Sequence, residues 1–209
     1  MEALQPSKFE NFLNKCFLSA VEIEEQVEQL PALFFMQERD ETIEHETELP
    51  PFVKTFYNYI NSFQKIPGQQ VFYESYLHEH KEKLGKNAHA SGLKARIFRA
   101  YPSFVRDFHF ALLTKEQMQL ANVLYNTSLD IEHNIDVLIE YHDSLYGICL
   151  HVNTANANQE KRKKDTYDTK FSNVTYIDLP ITLTNRTKRK VNLYNQDSLI
   201  HLKKLLNYV

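Results

Sequence analysis

A change of hydrophobic period near residue 120 constrains this chain more than any other feature. Before it, apolar residues recur in steps of three and four. Residues 7–30 carry Phe9, Phe12, Leu13, Cys16, Phe17, Ala20, Val21 and Ile23. Phe56, Tyr59, Ile60 and Phe63 continue the pattern, as do Val71, Phe72, Tyr76 and Leu84. Such spacing predicts amphipathic helices. From about residue 123 the segments NVLYNT, DVLIEY, YGICLHV, VTYIDLPI and KVNLYN read as strands. DSLIHLKKLLNYV closes the chain as an amphipathic helix, capped by Asp197 or Ser198. From residue 93 the predicted order is helix, three strands, helix, two strands, helix. The fold class is therefore α/β (α+β), with a helical N-terminal region ahead of a strand-bearing core.

Punctuation residues set the boundaries. Ser7 with Glu10 three positions later fits a capping box, and Pro31 ends that helix. Residues 37–50 are an acidic connector closed by Pro50-Pro51. Pro67-Gly68 marks a turn, and GKNAHASG at 85–92 is the best internal boundary. These divide the chain into an acidic helical region, 1–92, and an α/β core, 93–209. Pro102 divides the next helical stretch, with Ser103 as N-cap of its longer part. The middle of TANANQEKRKKDTYDTK is expected to be helical.

Composition narrows the class. The hydrophobic content is 43%, enough for a core, and four glycines with seven prolines argue against a loop-rich all-β fold. Cys16 and Cys149 form no disulfide framework and no zinc-finger spacing, which points to a reducing, cytoplasmic setting. No apolar run approaches the ~20 residues that cross a bilayer, and no secretory signal is apparent, so no membrane partner is expected. His78-Glu79-His80 lacks the HExxH spacing of a zinc helix. No phosphate-binding loop, GxSxG elbow or GxGxxG is present.

The net charge of -3 conceals a gradient. Residues 1–50 hold 12 acidic and 3 basic side chains, whereas residues 151–209 hold 5 acidic and 11 basic. KRKK at 161–164 and RTKRK at 186–190 supply the basic end. Arg162, Lys163, Arg186, Lys188, Arg189 and Lys190 are candidate phosphate contacts on nucleic acid. Arg99 and Arg106 lie seven apart among aromatics, and either line a phosphate path or pair with the acidic region. That region is itself a candidate surface for a protein partner, or a shield for the basic face.

The chemistry-bearing stretch is IDVLIEYHDSLYGICLHVNT, residues 135–154. Asp136 opens the first strand. Strand alternation places Cys149 and His151 on one face and Ile148, Leu150 and Val152 on the other. The element order and the strand-opening aspartate resemble the core of the PD-(D/E)XK nuclease superfamily, over roughly residues 93–209. The resemblance implies a restriction-endonuclease-like core, a mixed central sheet flanked by helices. It also implies a Mg²⁺ site built from that aspartate and a glutamate–x–lysine on the next strand. Here Cys149-Leu150-His151 occupies the place of glutamate–x–lysine, and neither thiol nor imidazole is a good Mg²⁺ ligand.

The resemblance further implies relocation to the following helix. Asp136 and Glu160 are then the metal ligands, and Lys161 or Lys164 serves the attacking water. Asn153, Thr154 and Glu116 are further oxygen donors. His151 is either a general base or a buried structural histidine. The function implied is a metal-dependent endonuclease acting on DNA, of restriction or antiviral defence type. The alternatives are a non-catalytic nucleic-acid-binding or protein-interaction subunit, and a module for a small anionic ligand.

Overall fold

The computed structural model describes residues 2–36, 39–44, 49–85, 91–152, 171–181 and 190–208. Among them it is an α+β fold with seven helices and a four-stranded mixed sheet. The chain divides into two compact units. A sheet unit comprises Met1–Lys15, Asp107–Asn185 and Leu193–Val209; a helical unit comprises Cys16–Arg106 and Arg186–Asn192. These limits differ from a division at residue 92. No helix among the described residues is long and apolar enough to cross a membrane.

In the helical unit, α1 (Ala20–Gln29) starts later than the periodicity predicts. Phe12–Asn14 forms a 3-10 turn instead, and the capping box is Ser19 with Glu22. After a short α2 (Glu41–Glu44), α3 (Phe52–Phe63) and α4 (Gln69–Leu84) stand where the periodicity places them. Phe56 and Phe72 meet edge to face at 5.7 Å, and each also contacts Tyr101 and Phe104. Such ring pairs add roughly 0.5–1.5 kcal/mol each beyond the area they bury.

Pro102 does not divide the next helix. One element, α5, runs Ser91–Gln117 with Pro102 inside it. Proline removes the N–H that would bond the carbonyl four residues back, that of Phe98. The Gln69 side-chain amide donates to that carbonyl at 2.9 Å instead. The helix thus keeps its acceptor satisfied.

The sheet unit has strand order β1-β2-β3-β4, with β1 Asn122–Leu124, β2 Val137–Tyr141, β3 Ser144–Val152 and β4 Val174–Ile181. The first two pairings are antiparallel and β3–β4 is parallel. A parallel pair needs a crossover, which residues 153–173 have the length to supply. On one face Val137, Ile139, Ile148, Leu179 and Ile181 are buried. On the other, Leu124 and Leu138 pack with Leu4, Leu129 and Ile135. Leu129 comes from α6 (Thr127–His133), a helix absent from the predicted order and capped by Asn126. KVNLYN forms no strand: residues 190–195 lead into α7 (Gln196–Leu205), whose cap is Asn195 rather than Asp197 or Ser198. The predicted helix within 154–170 lies outside the described residues.

Candidate functional site

The site is reached through α6. Its C-cap, Asn134, adopts a left-handed conformation, and Ile135 donates its N–H to the Leu129 carbonyl. The chain then turns sharply into β2. Asp136 stands at that entry, half-buried, and its N–H donates to the Ile148 carbonyl at 3.0 Å. Its carboxylate Oδ2 accepts the Leu150 N–H at 2.5 Å. The Ile148 carbonyl points toward β2, and by the period of two along a strand the Leu150 N–H points the same way. The Asp136 carboxylate therefore sits in line with the β2–β3 ladder and extends it by one bond.

Cys149 and His151 share a face of β3, as alternation requires. Ile148 on the opposite face is fully buried, while Cys149 and His151 are half-buried. The Cys149 thiol donates to the Asn134 carbonyl at 2.9 Å. A thiol that donates is protonated, which opposes its use as nucleophile or metal ligand. The parallel register pairs Cys149 with Asp178 and His151 with Pro180. Asp178, exposed on β4, is a second carboxylate on this face. Sequence reasoning passed over it, because VTYIDLPI gives a strand but not its partner. One pleat away, Tyr176 accepts the Phe171 N–H at 3.0 Å. Burial raises the Tyr176 pKa against that bond, and the nearby Cys149 adds to the rise.

The other predicted residues divide. Glu160, Lys161, Arg162, Lys163 and Lys164 lie outside the described residues, as do Asn153, Thr154, Arg186, Lys188 and Arg189. Glu116 is exposed near the end of α5. Arg99 forms an ion pair with Glu44 and donates to the Met36 carbonyl, so it holds the acidic segment. Burial lowers its pKa, and Arg39 adds to the effect. Arg106 is half-buried, and its Nε makes no hydrogen bond among the described residues. Lys190 donates to the Glu28 carboxylate at 2.7 Å and to its carbonyl at 2.9 Å.

Chemically, Asp136 at the end of the ladder and Asp178 on the face are hard oxygen donors, and His151 is a softer donor on the same face as Asp178. Among the described residues, no group of three or more His, Cys, Asp or Glu side chains stands close enough to hold a metal ion. No protein family, curated protein or solved structure matches this chain.

Proposed function

We propose that the sheet unit is the core of a Mg²⁺-dependent endonuclease acting on DNA in a reducing cytoplasm. One observation carries this reading. A strand-opening aspartate, Asp136, lies at the end of an antiparallel pair whose second strand, β3, has a parallel neighbour. That is the arrangement of the PD-(D/E)XK nucleases it resembles. Carboxylate oxygens suit Mg²⁺, so Asp136 is the principal ligand, and Asp178 or Glu160 completes the donor set. When bound, the metal would supply charge stabilisation at phosphorus and a more acidic water. Lys161 or Lys164 would stand beside the attacking water, and the basic segments would hold the phosphate backbone.

A second reading has its own support. The Asp136 carboxylate is occupied by the Leu150 N–H, and the Cys149 thiol by the Asn134 carbonyl. Both side chains thus serve the chain's own geometry, which favours a non-catalytic nucleic-acid-binding or protein-interaction subunit.

Asp136→Asn separates the two. The amide oxygen still accepts the Leu150 N–H, while the metal-binding charge is gone. Supercoiled plasmid with Mg²⁺ or Mn²⁺ should be nicked by the wild-type chain and not by Asp136→Asn, with thermal stability retained. Full activity in the variant removes Asp136 from the chemistry. Salt-sensitive DNA binding without cleavage by the wild-type chain selects the second reading.

A further inference from the structure

The α3–α4 pair carries a groove of about 410 Å³. One wall is α3, with Tyr59, Ser62 and Phe63; the other is α4, with Glu74, His78 and Glu79. Tyr59, Ser62 and Phe63 are three and four apart on α3, and Glu74–His78 and Ser75–Glu79 are each four apart on α4, so each set lies on one helix side. The Tyr59 and Phe63 rings meet at a tilt of 42°, 4.6 Å between centroids. Phe63 is 59% exposed, whereas Phe56 and Tyr57 of the same helix are buried. No lysine or arginine lines the groove, while two exposed carboxylates do.

We infer that this groove docks a basic amphipathic helix of a partner protein. Charge complementarity carries the choice. Glu74 and Glu79 stand on one wall; each accepts one amide hydrogen bond, from Gln70 at 2.8 Å and from Asn58 at 2.9 Å, and keeps its negative charge and remaining oxygen for incoming lysine or arginine. Tyr59 and Phe63 offer ring faces and apolar area on the other. The Lys65 ammonium lies outside the lining, 6.0 Å from the Phe63 ring centroid, at the edge of cation–π range. The groove runs along two helices, so a third helix laid in it meets both walls at once. This is the helix-in-groove mode, with cationic residues on the rim and apolar anchors between.

The test uses the full chain and a fluorescent helical peptide with Lys and Arg on one face and Leu on the other. Binding is read by anisotropy. Glu74→Lys with Glu79→Lys should weaken binding at least about tenfold, and Phe63→Ala should also weaken it. Glu24→Lys with Glu25→Lys makes the same charge change on exposed α1 positions, and should leave affinity within about twofold. All four reversals are at exposed positions, so circular dichroism melts should match wild type.

Equal loss in both double variants, or no loss in the groove variant, overturns the inference. So does failure of the peptide to bind. Concentration-dependent dimerisation of the wild-type chain, abolished by the groove reversals, makes the occupant a second copy and likewise overturns it.

Discussion

At the scale of single residues, two polar side chains, one buried and one half-buried, have roles that periodicity does not reveal. Gln69 is 7% exposed and makes three bonds. It accepts the Phe34 N–H at 2.8 Å, and it donates to the Phe34 carbonyl at 3.2 Å and the Phe98 carbonyl at 2.9 Å. Gln69→Leu keeps the volume but leaves the Phe98 carbonyl without a donor. An unsatisfied buried group costs roughly 1–3 kcal/mol, so urea denaturation should show a loss of about that size. Pro102→Ala restores the helical N–H to that carbonyl, and should recover part of the loss in the Gln69→Leu background but less in wild type. Strict additivity in the double-variant cycle would remove the compensation argument. His80 makes the second case. It departs from helical geometry within α4, and its Nε2 lies 2.9 Å from Thr55 Oγ1. Burial holds its pKa below the usual 6.5 against the pull of Glu79, and Lys83 and Lys54 add to the lowering. The unfolded chain therefore takes up the proton first as pH falls. Stability from neutral His80 is complete above about pH 6.5 and is lost as pH drops through the lower folded value. Melting temperatures measured from about pH 7.5 down to about pH 5 should fall less steeply in His80→Gln than in wild type. Parallel slopes would show that His80 is not the titrating group.

Among the elements, the β2–β3 hairpin was the most legible in the sequence. Alternation in DVLIEY and YGICLHV fixes which residues share a face, and the observed register pairs Tyr141 with Ser144 around a two-residue turn. That turn is His142-Asp143, with φ of 47° and 58°. Paired positive φ values fit a type I′ turn, for which Asn-Gly is the preferred pair. Replacing His142-Asp143 by Asn-Gly should therefore raise stability by about 1 kcal/mol in chemical denaturation, because left-handed backbone is costly for most side chains. An unchanged or lower midpoint would mean that the Tyr141–His142 ring contact, at 4.0 Å, outweighs the backbone gain. Elsewhere local signals misled for physical reasons. Phe9, Phe12 and Leu13 have helical spacing, yet Leu13 is buried from a 3-10 turn rather than an α-helix. Val191 and Tyr194 suggest a strand, but both are buried from irregular chain, and the Tyr194 hydroxyl donates to Asp107 at 2.9 Å. Helix α6, at seven residues, is too short to show a period, and its cap Asn126 was the one available sign. Of the candidate site, the shared face of Cys149 and His151 could be read from strand alternation, and Asp136 from its place at the opening of the strand. Asp178 could not, since its place beside Cys149 depends on a parallel register set by residues far apart in sequence.

For the molecule as a whole, the decisive long-range fact is where the first fifteen residues belong. Met1–Lys15 is part of the sheet unit, although residues 16–106 that follow it are not. The segment is fastened by backbone and side chain alike. Leu4 exchanges bonds of 2.7 and 2.9 Å with the Asn173 side chain. The Asn11 amide donates to the Val123 carbonyl at 2.7 Å, and Phe12 N–H to the Tyr125 carbonyl at 3.0 Å. Leu4 is 2% exposed and packs with Leu124, Leu129, Ile135 and Leu138; Leu13 is 0% exposed. Burying a leucine is worth about 1.5–3 kcal/mol, so these two alone contribute about 3–6 kcal/mol. That is a large fraction of a typical domain's stability of about 5–15 kcal/mol. A fragment of residues 93–209 therefore lacks part of its own core and should bind hydrophobic dye without a cooperative urea transition. Joining residues 1–15 to the fragment through a flexible linker should restore cooperative unfolding. In the full chain, Leu4→Ala should cost about 2–4 kcal/mol and expose the amides of β2 and β3 to faster hydrogen exchange. A fragment of 93–209 that folds cooperatively without the N-terminal segment would show that the sheet completes its core by itself. The chain's beginning would then be a passenger on that face, and a division near residue 92 would describe the protein better than the one its contacts define.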